Sequence, residues 1–221
     1  MSQASASDGD GVPIRRLTPK AVRRGVEILC ERDAGLAGIV ERQGVPPVRL
    51  RKAGFATLAQ IIVEQQVTLA SGRAIWARLE GGLDTVTPET VFARTVDDLR
   101  SMGLSIQKAT YIHGIAAAAL DGELNFRRVH RADDEGAREQ LIRMKGVGRW
   151  TADIYLLTAM GRPDVWPRGD LALDTALMWL KRLRKKPRPE RIDKLTGPWS
   201  PWRSVAARIL WLGYVHEVKG G

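Results

Sequence analysis

Residues 141–152 read LIRMKGVGRWTA, in which two glycines stand one residue apart between two stretches with helical spacing. Glycine permits a positive φ and a close approach of the backbone to another surface, so this stretch predicts a tight hairpin that opens a new helix. Amide groups at such a helix start suit a phosphate group, and Lys145 and Arg149 add positive charge beside them. The two glycines alone would more often mark an ordinary turn between antiparallel helices, so the rest of the chain decides what the hairpin does.

Apolar residues on both sides of the hairpin recur mostly at intervals of three and four, which is the spacing of amphipathic helices. They predict one or two helices over residues 57–80, and further helices over 89–94, 96–101, 106–120, 134–144, 149–160, 171–184 and 201–217. No sustained run of alternating β-branched residues indicates a strand, so we expect an all-α protein. The run RKKPRP at residues 184–189 indicates an exposed connection.

The overall charge indicates the kind of partner. The 221 residues carry a formal net charge of +10 and give a pI near 10.2. A surface of this charge attracts polyanions, and nucleic acid is the first candidate, although a basic composition also serves general solubility. The hydrophobic content of 44% predicts a globular chain that can bury a core.

Cysteine and histidine usage excludes several kinds of metal centre. Cys30 is the only cysteine, so the chain by itself can build no disulfide, thiolate zinc site or iron–sulfur cluster. His113, His130 and His216 lack metal-ligand spacing. The sequence has no apolar core of signal-peptide length and no segment near the ~20 apolar residues that span a bilayer. We therefore expect a cytoplasmic, nucleoid-associated protein that does not bind a membrane.

A wider pattern around the hairpin resembles a known family. The stretch Met144–Trp150, a loop that contains Gly161, Pro163 and Pro167, and the pair Gly169-Asp170 together resemble the helix-hairpin-helix, Gly/Pro-rich loop and aspartate signature of the HhH-GPD DNA glycosylase superfamily. Within it, GRWTA at 148–152 and PWRS at 201–204 resemble the 3-methyladenine DNA glycosylase II branch, often called AlkA. The similarity covers roughly residues 55–215.

The resemblance implies two helical lobes with a cleft between them, across which damaged double-stranded DNA would lie. We expect residues 1–14 to be a disordered tail, and residues 15–56 and 166–221 to form one lobe. Residues 57–165 would form a central lobe of six helices, with the helix-hairpin-helix at 137–160. The expected active species is a monomer.

The resemblance also places the catalytic group at Asp170. Breaking an N-glycosidic bond creates an oxocarbenium-like centre, which a nearby carboxylate stabilises in a low-dielectric cleft. An alkylated ring nitrogen makes the base a cationic leaving group, so one carboxylate is enough without a partnering general acid. A helix N-cap at the start of the predicted 171–184 helix is the structural alternative, and it is compatible with catalysis. Asp174, one turn later, is a competitor by composition alone.

Three positions would line the base pocket if the resemblance holds. Trp150 and Trp211 would stack on an extruded cationic base, and Ile154 would leave the pocket roomier than an aromatic residue would. Relatives that also cut the DNA backbone through a Schiff base carry lysine where this chain has Trp150, and tryptophan cannot form that adduct. The resemblance therefore implies a monofunctional enzyme.

Further residues are implied as DNA or ion contacts. The resemblance places Gln66 at the position of the family's intercalating wedge, which fills the gap left by a flipped nucleotide; a helix-surface glutamine is the structural alternative. The expected DNA-binding residues of the hairpin are Lys145, Gly146, Val147, Gly148, Arg149 and Thr151. The backbone carbonyls of Ile142, Met144 and Val147 are candidate ligands of a structural Na⁺ or K⁺ ion, and we expect no other cofactor.

Alternatives remain open at this point. A glycosylase for oxidised or mismatched bases is disfavoured by the missing iron–sulfur cysteines and the missing lysine. A non-catalytic helix-hairpin-helix module would explain the charge and the glycines but would leave Asp170, Trp150 and Trp211 without a shared purpose. A helical scaffold, in which the tryptophans are simply core, would explain neither the hairpin nor the aspartate. The lesion spectrum is also open, from N3-methyladenine to N7-methylguanine and bases methylated at the pairing edge.

Overall fold

The structure is a computed structural model that describes residues 14–218. Within them the chain is all α: helices and short helical turns carry the regular structure, and no strand occurs. The α-helices are α1 (Pro19–Arg32), α2 (Ala34–Gln43), α3 (Phe55–Glu64), α4 (Leu69–Leu83), α5 (Pro88–Phe92), α6 (Val96–Ser101), α7 (Ile106–Leu120), α8 (Phe126–Arg131), α9 (Asp134–Ile142), α10 (Arg149–Tyr155), α11 (Leu171–Leu180), α12 (Pro189–Thr196) and α13 (Arg203–Gly213). None of these described helices is long and apolar enough to cross a membrane.

The chain divides into two compact units, which we call the terminal unit and the central unit. The central unit comprises residues 51–160, and the terminal unit comprises, among the described residues, 14–50 together with 161–218. The predicted boundaries were 56/57 and 165/166. Local hydrogen bonds explain the difference: Arg51 N–H donates to Thr158 in the central unit, whereas Gly161 accepts from Leu17 N–H in the terminal unit. Of the predicted 1–14 tail, residues 1–13 lie outside the described part of the chain.

The central unit forms around α3. This helix is apolar on most sides, and Leu58, Ile61 and Ile62 are completely buried. It packs against α4, α7 and α10, so the helix after the predicted hairpin rests directly on the unit's core. Burial of each such aliphatic side chain contributes about 1.5–3 kcal/mol to the stability of the fold. Packing on this core therefore stabilises α10, which is a short helix.

The terminal unit packs α13 against α1, α2 and α11. Two of its tryptophans, Trp199 and Trp202, are almost fully buried. The indole Nε1 of Trp199 donates to Asp33 Oδ2 at 2.9 Å, and Lys181 Nζ lies 2.6 Å from the same oxygen. The ends of α2 and α11 are therefore tied together, which holds the helix that begins after Asp170.

Helix boundaries differ from the predicted ones where the backbone changes direction. The predicted 57–80 segment is two helices, because Gln65 is extended and Gln66 has φ 53°. The predicted 171–184 helix ends at Leu180, since Arg182 has φ 50° and Leu183 N–H donates to Met178 at 2.9 Å, a Schellman-like closure. The predicted 149–160 helix changes from α10 into a π-helical turn at Leu156–Met160.

Helices α8 and α12 have no counterpart among the predicted ranges, and α1 and α2 were expected only as unplaced helices of the terminal lobe. The central unit holds eight α-helices rather than six, partly because 57–80 is split and partly because α8 is present. Both α8 and α12 are short and rich in charge, and each buries few side chains: Val129 in α8, and Ile192 with Thr196 in α12. Segments this short offer too few apolar positions to establish a helical period from the sequence.

Candidate active site

The two hairpin glycines are required for different reasons. Gly146 has φ 91°, and a Cβ atom there would lie 2.3 Å from Tyr111 Cδ2. Only glycine fits this position, because the turn packs against the face of α7. Gly148 has φ −85° and caps α10, and no atom lies within 4 Å of its would-be Cβ. Gly146 therefore builds the turn, whereas Gly148 keeps the start of α10 open to an approaching backbone.

This difference predicts opposite outcomes for two matched substitutions. Gly146→Ala should lower the free energy of unfolding by at least about 2 kcal/mol, since the methyl group overlaps Tyr111. Gly148→Ala should cost less than about 1 kcal/mol of stability but weaken DNA binding, because the methyl group fills the space a phosphate would enter. Urea unfolding and fluorescence anisotropy on an undamaged duplex separate the two effects. Equal behaviour of the two variants would contradict this division of roles.

The remaining hairpin residues fall into two groups. Lys145 and Arg149 are exposed beside the turn, as an electrostatic contact with DNA requires. Val147 and Thr151 are only 4% and 2% exposed, so their side chains face the interior of the central unit. Any contact of Thr151 with DNA would come from its backbone amide, whereas the Val147 N–H is already donated within the turn. The Met144 carbonyl accepts the Val147 N–H at 3.0 Å, which closes the turn.

Two residues that the sequence did not reveal link the hairpin to the loop that carries Gln66. Gln65 Nε2 donates to the Gly146 carbonyl at 3.1 Å and to Thr151 Oγ1 at 2.8 Å. Lys108 Nζ donates to the carbonyls of Val63 and Gln65, each at 2.7 Å, and burial lowers the pKa of Lys108. The exposed Gln66, with its positive φ, therefore projects from an anchored loop. These partners lie more than 40 residues apart, so no local pattern indicates them.

Asp170 is the N-cap of α11, so the structural alternative foreseen for it is present. Its Oδ1 accepts the Leu173 N–H at 2.9 Å and the Trp211 Nε1–H at 3.3 Å. Gly169 precedes it with φ 83°, and the Asp170 N–H donates to the Pro167 carbonyl at 3.3 Å. Asp170 is half-buried, and the Leu173 amide and the Trp211 indole help to fix the orientation of its carboxylate. The N-cap role of Asp170 is therefore compatible with catalysis, because the hydrogen bonds orient its carboxylate.

Asp174 is in a different environment. It is 2% exposed, and Lys186 Nζ lies 2.7 Å from its Oδ2. A buried carboxylate paired with a lysine is poorly placed to meet a substrate. Between the N-cap Asp170 and the first-turn Asp174 of α11, the geometry favours Asp170 as the catalytic group.

Trp211 and Trp150 lie in different units. Trp211, on α13, is half-buried and touches Asp170 within the terminal unit. Trp150 and Ile154 lie one turn apart on α10 in the central unit; Trp150 is half-buried and Ile154 is 8% exposed. The structure thus brings one predicted pocket residue directly to the candidate catalytic group, and keeps the other two with the hairpin.

Comparison with known proteins identifies the family. Residues 59–201, well over half of the chain, match the family described as HhH-GPD superfamily base excision DNA repair protein. The chain belongs to this superfamily. The matched range contains the hairpin, the Gly/Pro-rich loop and Asp170, so the HhH-GPD signature predicted from the sequence is confirmed.

Curated relatives place the chain in the AlkA-like branch of the HhH-GPD superfamily. The Alkylbase DNA glycosidase-like protein mag2 of Schizosaccharomyces pombe is 34% identical over 126 residues, which cover 57% of this chain and 59% of that protein. The putative DNA-3-methyladenine glycosylase YfjP of Bacillus subtilis is 26% identical over 184 residues, covering 80% and 64%. The chain thus spans about three fifths of the length of these two relatives.

Solved structures agree with the all-α HhH-GPD fold. The 3-methyladenine DNA glycosylase Mag1 of Schizosaccharomyces pombe, in complex with abasic DNA, superposes with a TM-score of 0.77 at 26% identity, covering 85% of this chain and 95% of that one. A DNA-3-methyladenine glycosidase from Bacillus halodurans gives the same TM-score of 0.77 at 24% identity, covering 99% and 95%. The second likeness concerns the fold alone.

Proposed function

We propose that the protein is a monofunctional DNA glycosylase of base excision repair that flips and hydrolytically excises alkylated bases of the 3-methyladenine type. The observation that carries the proposal is the Asp170 carboxylate, held by the Leu173 amide and the Trp211 indole at the start of α11. Membership of a base excision repair superfamily supports it, as does similarity to relatives named for 3-methyladenine glycosylase activity.

Excision of a cationic alkylated base requires one main contribution from the protein, a negative charge held in a fixed position. As the bond between C1′ and the base nitrogen breaks, its electron pair neutralises the cationic alkylated base, and positive charge develops on the sugar. Asp170 stabilises that charge and orients the water that attacks C1′, and this water loses a proton to solvent as the new C1′–O bond forms. A carboxylate whose orientation is set before the reaction contributes most, because it does not reorganise as the charge develops.

Trp150 stacks on the extruded base in this proposal, with Ile154 beneath it. A cationic base attracts the face of an indole ring, which favours alkylated over undamaged bases. Trp211 has a second role, since its N–H already orients the Asp170 carboxylate.

Strand cleavage provides a test of the monofunctional assignment. Because Trp150 offers no amine, incubation of lesion duplex with borohydride should trap no covalent protein–DNA complex. Gel electrophoresis of the reaction should show abasic sites but intact strands until alkali is added. A trapped adduct would disprove the monofunctional assignment, but the protein would still be a glycosylase.

Gln66 is proposed as the wedge that fills the gap left by the flipped nucleotide. Gln66→Ala should weaken binding to a lesion duplex about 3- to 10-fold, which corresponds to the loss of one net hydrogen bond. The free energy of unfolding should not change, since Gln66 is exposed and the positive φ at this position strains alanine and glutamine equally. Anisotropy on lesion and undamaged duplexes measures the effect, with Gln107→Ala, an exposed glutamine on α7, as the control. Equal affinities of wild type and Gln66→Ala for the lesion duplex would remove Gln66 from the site.

The hairpin is proposed to hold a DNA phosphate and a Na⁺ or K⁺ ion. The carbonyls of Ile142, Met144 and Val147 are neutral oxygen donors, which suit such ions, and the Met144 oxygen keeps a lone pair beyond the one that accepts Val147 N–H. DNA affinity at constant ionic strength should be higher in KCl or NaCl than in tetramethylammonium chloride.

A panel of duplexes, each with one modified base, tests the proposed function and its specificity. We expect single-turnover release of bases alkylated at N3 or N7 and no release of 8-oxoguanine or of mismatched normal bases. Release of only the oxidised or mismatched bases would favour the second glycosylase class, and binding without any release would favour a non-catalytic module. We further propose that the protein acts as a monomer on nucleoid DNA in the cytoplasm.

A further inference from the structure

A cationic segment of the terminal unit has no part in the site described so far. Residues 182–188, which we call the basic loop, read RLRKKPR and contain five arginines or lysines in seven residues. All five cationic side chains are exposed, whereas Leu183 is half-buried and Pro187 is buried. Within the described part of the chain, Arg184, Lys185 and Arg188 form no ion pair. The loop is thus anchored by its apolar residues and presents its charges to solvent.

The loop folds back toward Asp170. It leaves α11 at Arg182, where the positive φ reverses the chain, and Lys186 Nζ then reaches Asp174 Oδ2 at 2.7 Å. Asp174 lies in the first turn of α11, and its N–H donates to the Asp170 carbonyl at 2.8 Å. One helical turn is about 5.4 Å, so the ion pair fixes the basic loop beside the end of α11 where Asp170 lies. The buried partner makes this placement specific.

We propose that the basic loop is a second contact with the DNA backbone, binding phosphates next to the lesion. This inference rests on the proposed function, because Asp170 must reach the deoxyribose of the damaged nucleotide in order to act. Duplex DNA carries one negative charge per about 1.7 Å of its axis, so cations beside the same end of α11 as Asp170, about one helical turn along it, would face phosphates near that sugar. Screening extends over about 8 Å at physiological ionic strength, a distance comparable to this spacing.

The salt dependence of binding to undamaged duplex tests the loop directly. In the triple variant Arg184→Gln/Lys185→Gln/Arg188→Gln, the slope of log K against log salt should fall by about 2.7 if all three cations contact phosphates, at about 0.9 per contact. Lys186 is kept so that the anchor to Asp174 remains. The control variant Lys20→Gln/Arg23→Gln/Arg24→Gln changes three exposed cations of α1, of which Arg24 pairs with Glu27, with the same change in net charge.

The outcomes distinguish this proposal from the proposed function. A clearly lower slope for the basic-loop variant than for the control supports the loop as a phosphate contact, whether or not the protein excises bases. Equal slopes would overturn the proposal, including in the case that the loop serves an acidic protein instead.

Discussion

Replacement of Asp170 by asparagine should abolish base release while DNA binding persists. Asparagine has nearly the same shape, and its Oδ1 can accept the same Leu173 and Trp211 hydrogen bonds. The cap of α11 is therefore retained and only the negative charge is lost. Loss of one fixed electrostatic stabiliser typically costs about 10²- to 10³-fold in rate, so we expect at least that reduction in single-turnover excision. Affinity for lesion duplex should be equal or higher, because a charge that repels phosphate is gone.

Two controls make this result specific. Asp121→Asn removes an exposed carboxylate at the end of α7 and should excise at the wild-type rate. Thermal melting should show that Asp170→Asn is folded, since its capping bonds remain. An Asp170→Asn variant that excises within a few-fold of wild type would show that another group supplies the charge.

The second large effect is expected at the ion pair that joins the two helices of the hairpin. Arg138 on α9 is 7% exposed, Asp153 on α10 is fully buried, and Arg138 Nε donates to Asp153 Oδ1 at 2.6 Å. Removal of one partner leaves the other buried charge with only an exposed second partner, Arg149 at 3.8 Å from Asp153 or Glu135 beside Arg138. The cost should therefore approach that of an uncompensated buried charge, about 3–5 kcal/mol. Arg138→Met and Asp153→Leu should each lower the free energy of unfolding by this amount and abolish DNA binding at temperatures where wild type binds.

A double-mutant cycle measures the coupling energy between Arg138 and Asp153 separately from the effect of each substitution alone. The double variant Arg138→Met/Asp153→Leu buries no unpaired charge, so it should be more stable than either single variant. Urea midpoints measured by circular dichroism give all four stabilities. Additive losses, or single losses below about 1 kcal/mol, would show that the two side chains do not depend on each other.

Much of the central unit follows from local patterns, because its helices bury regular apolar faces. The hairpin glycines and the Gly169-Asp170 junction are equally local, and the family comparison confirms the HhH-GPD signature that they form. The contacts that orient the site are not local. Gln65 meets Gly146 from 81 residues away, and Trp211 meets Asp170 from 41 residues away.

Trp211 illustrates why residue roles are harder to predict than folds. The resemblance implies that its ring stacks on the base, and the structure adds a hydrogen bond from its indole to Asp170. A similar limit applies to Thr151, whose hydroxyl is occupied by Gln65 inside the central unit. In both cases the side-chain partner depends on packing between distant helices, which spacing along the chain does not encode.

Release of free base from methylated duplex DNA tests the central claim most directly. Purified protein is incubated with DNA treated with a methylating agent, and free bases are quantified by mass spectrometry without heating, beside Asp170→Asn and a protein-free control. The account predicts release of 3-methyladenine by wild type well above both controls, with the strands intact. No release above the protein-free control, although the protein binds the DNA fully, would contradict it.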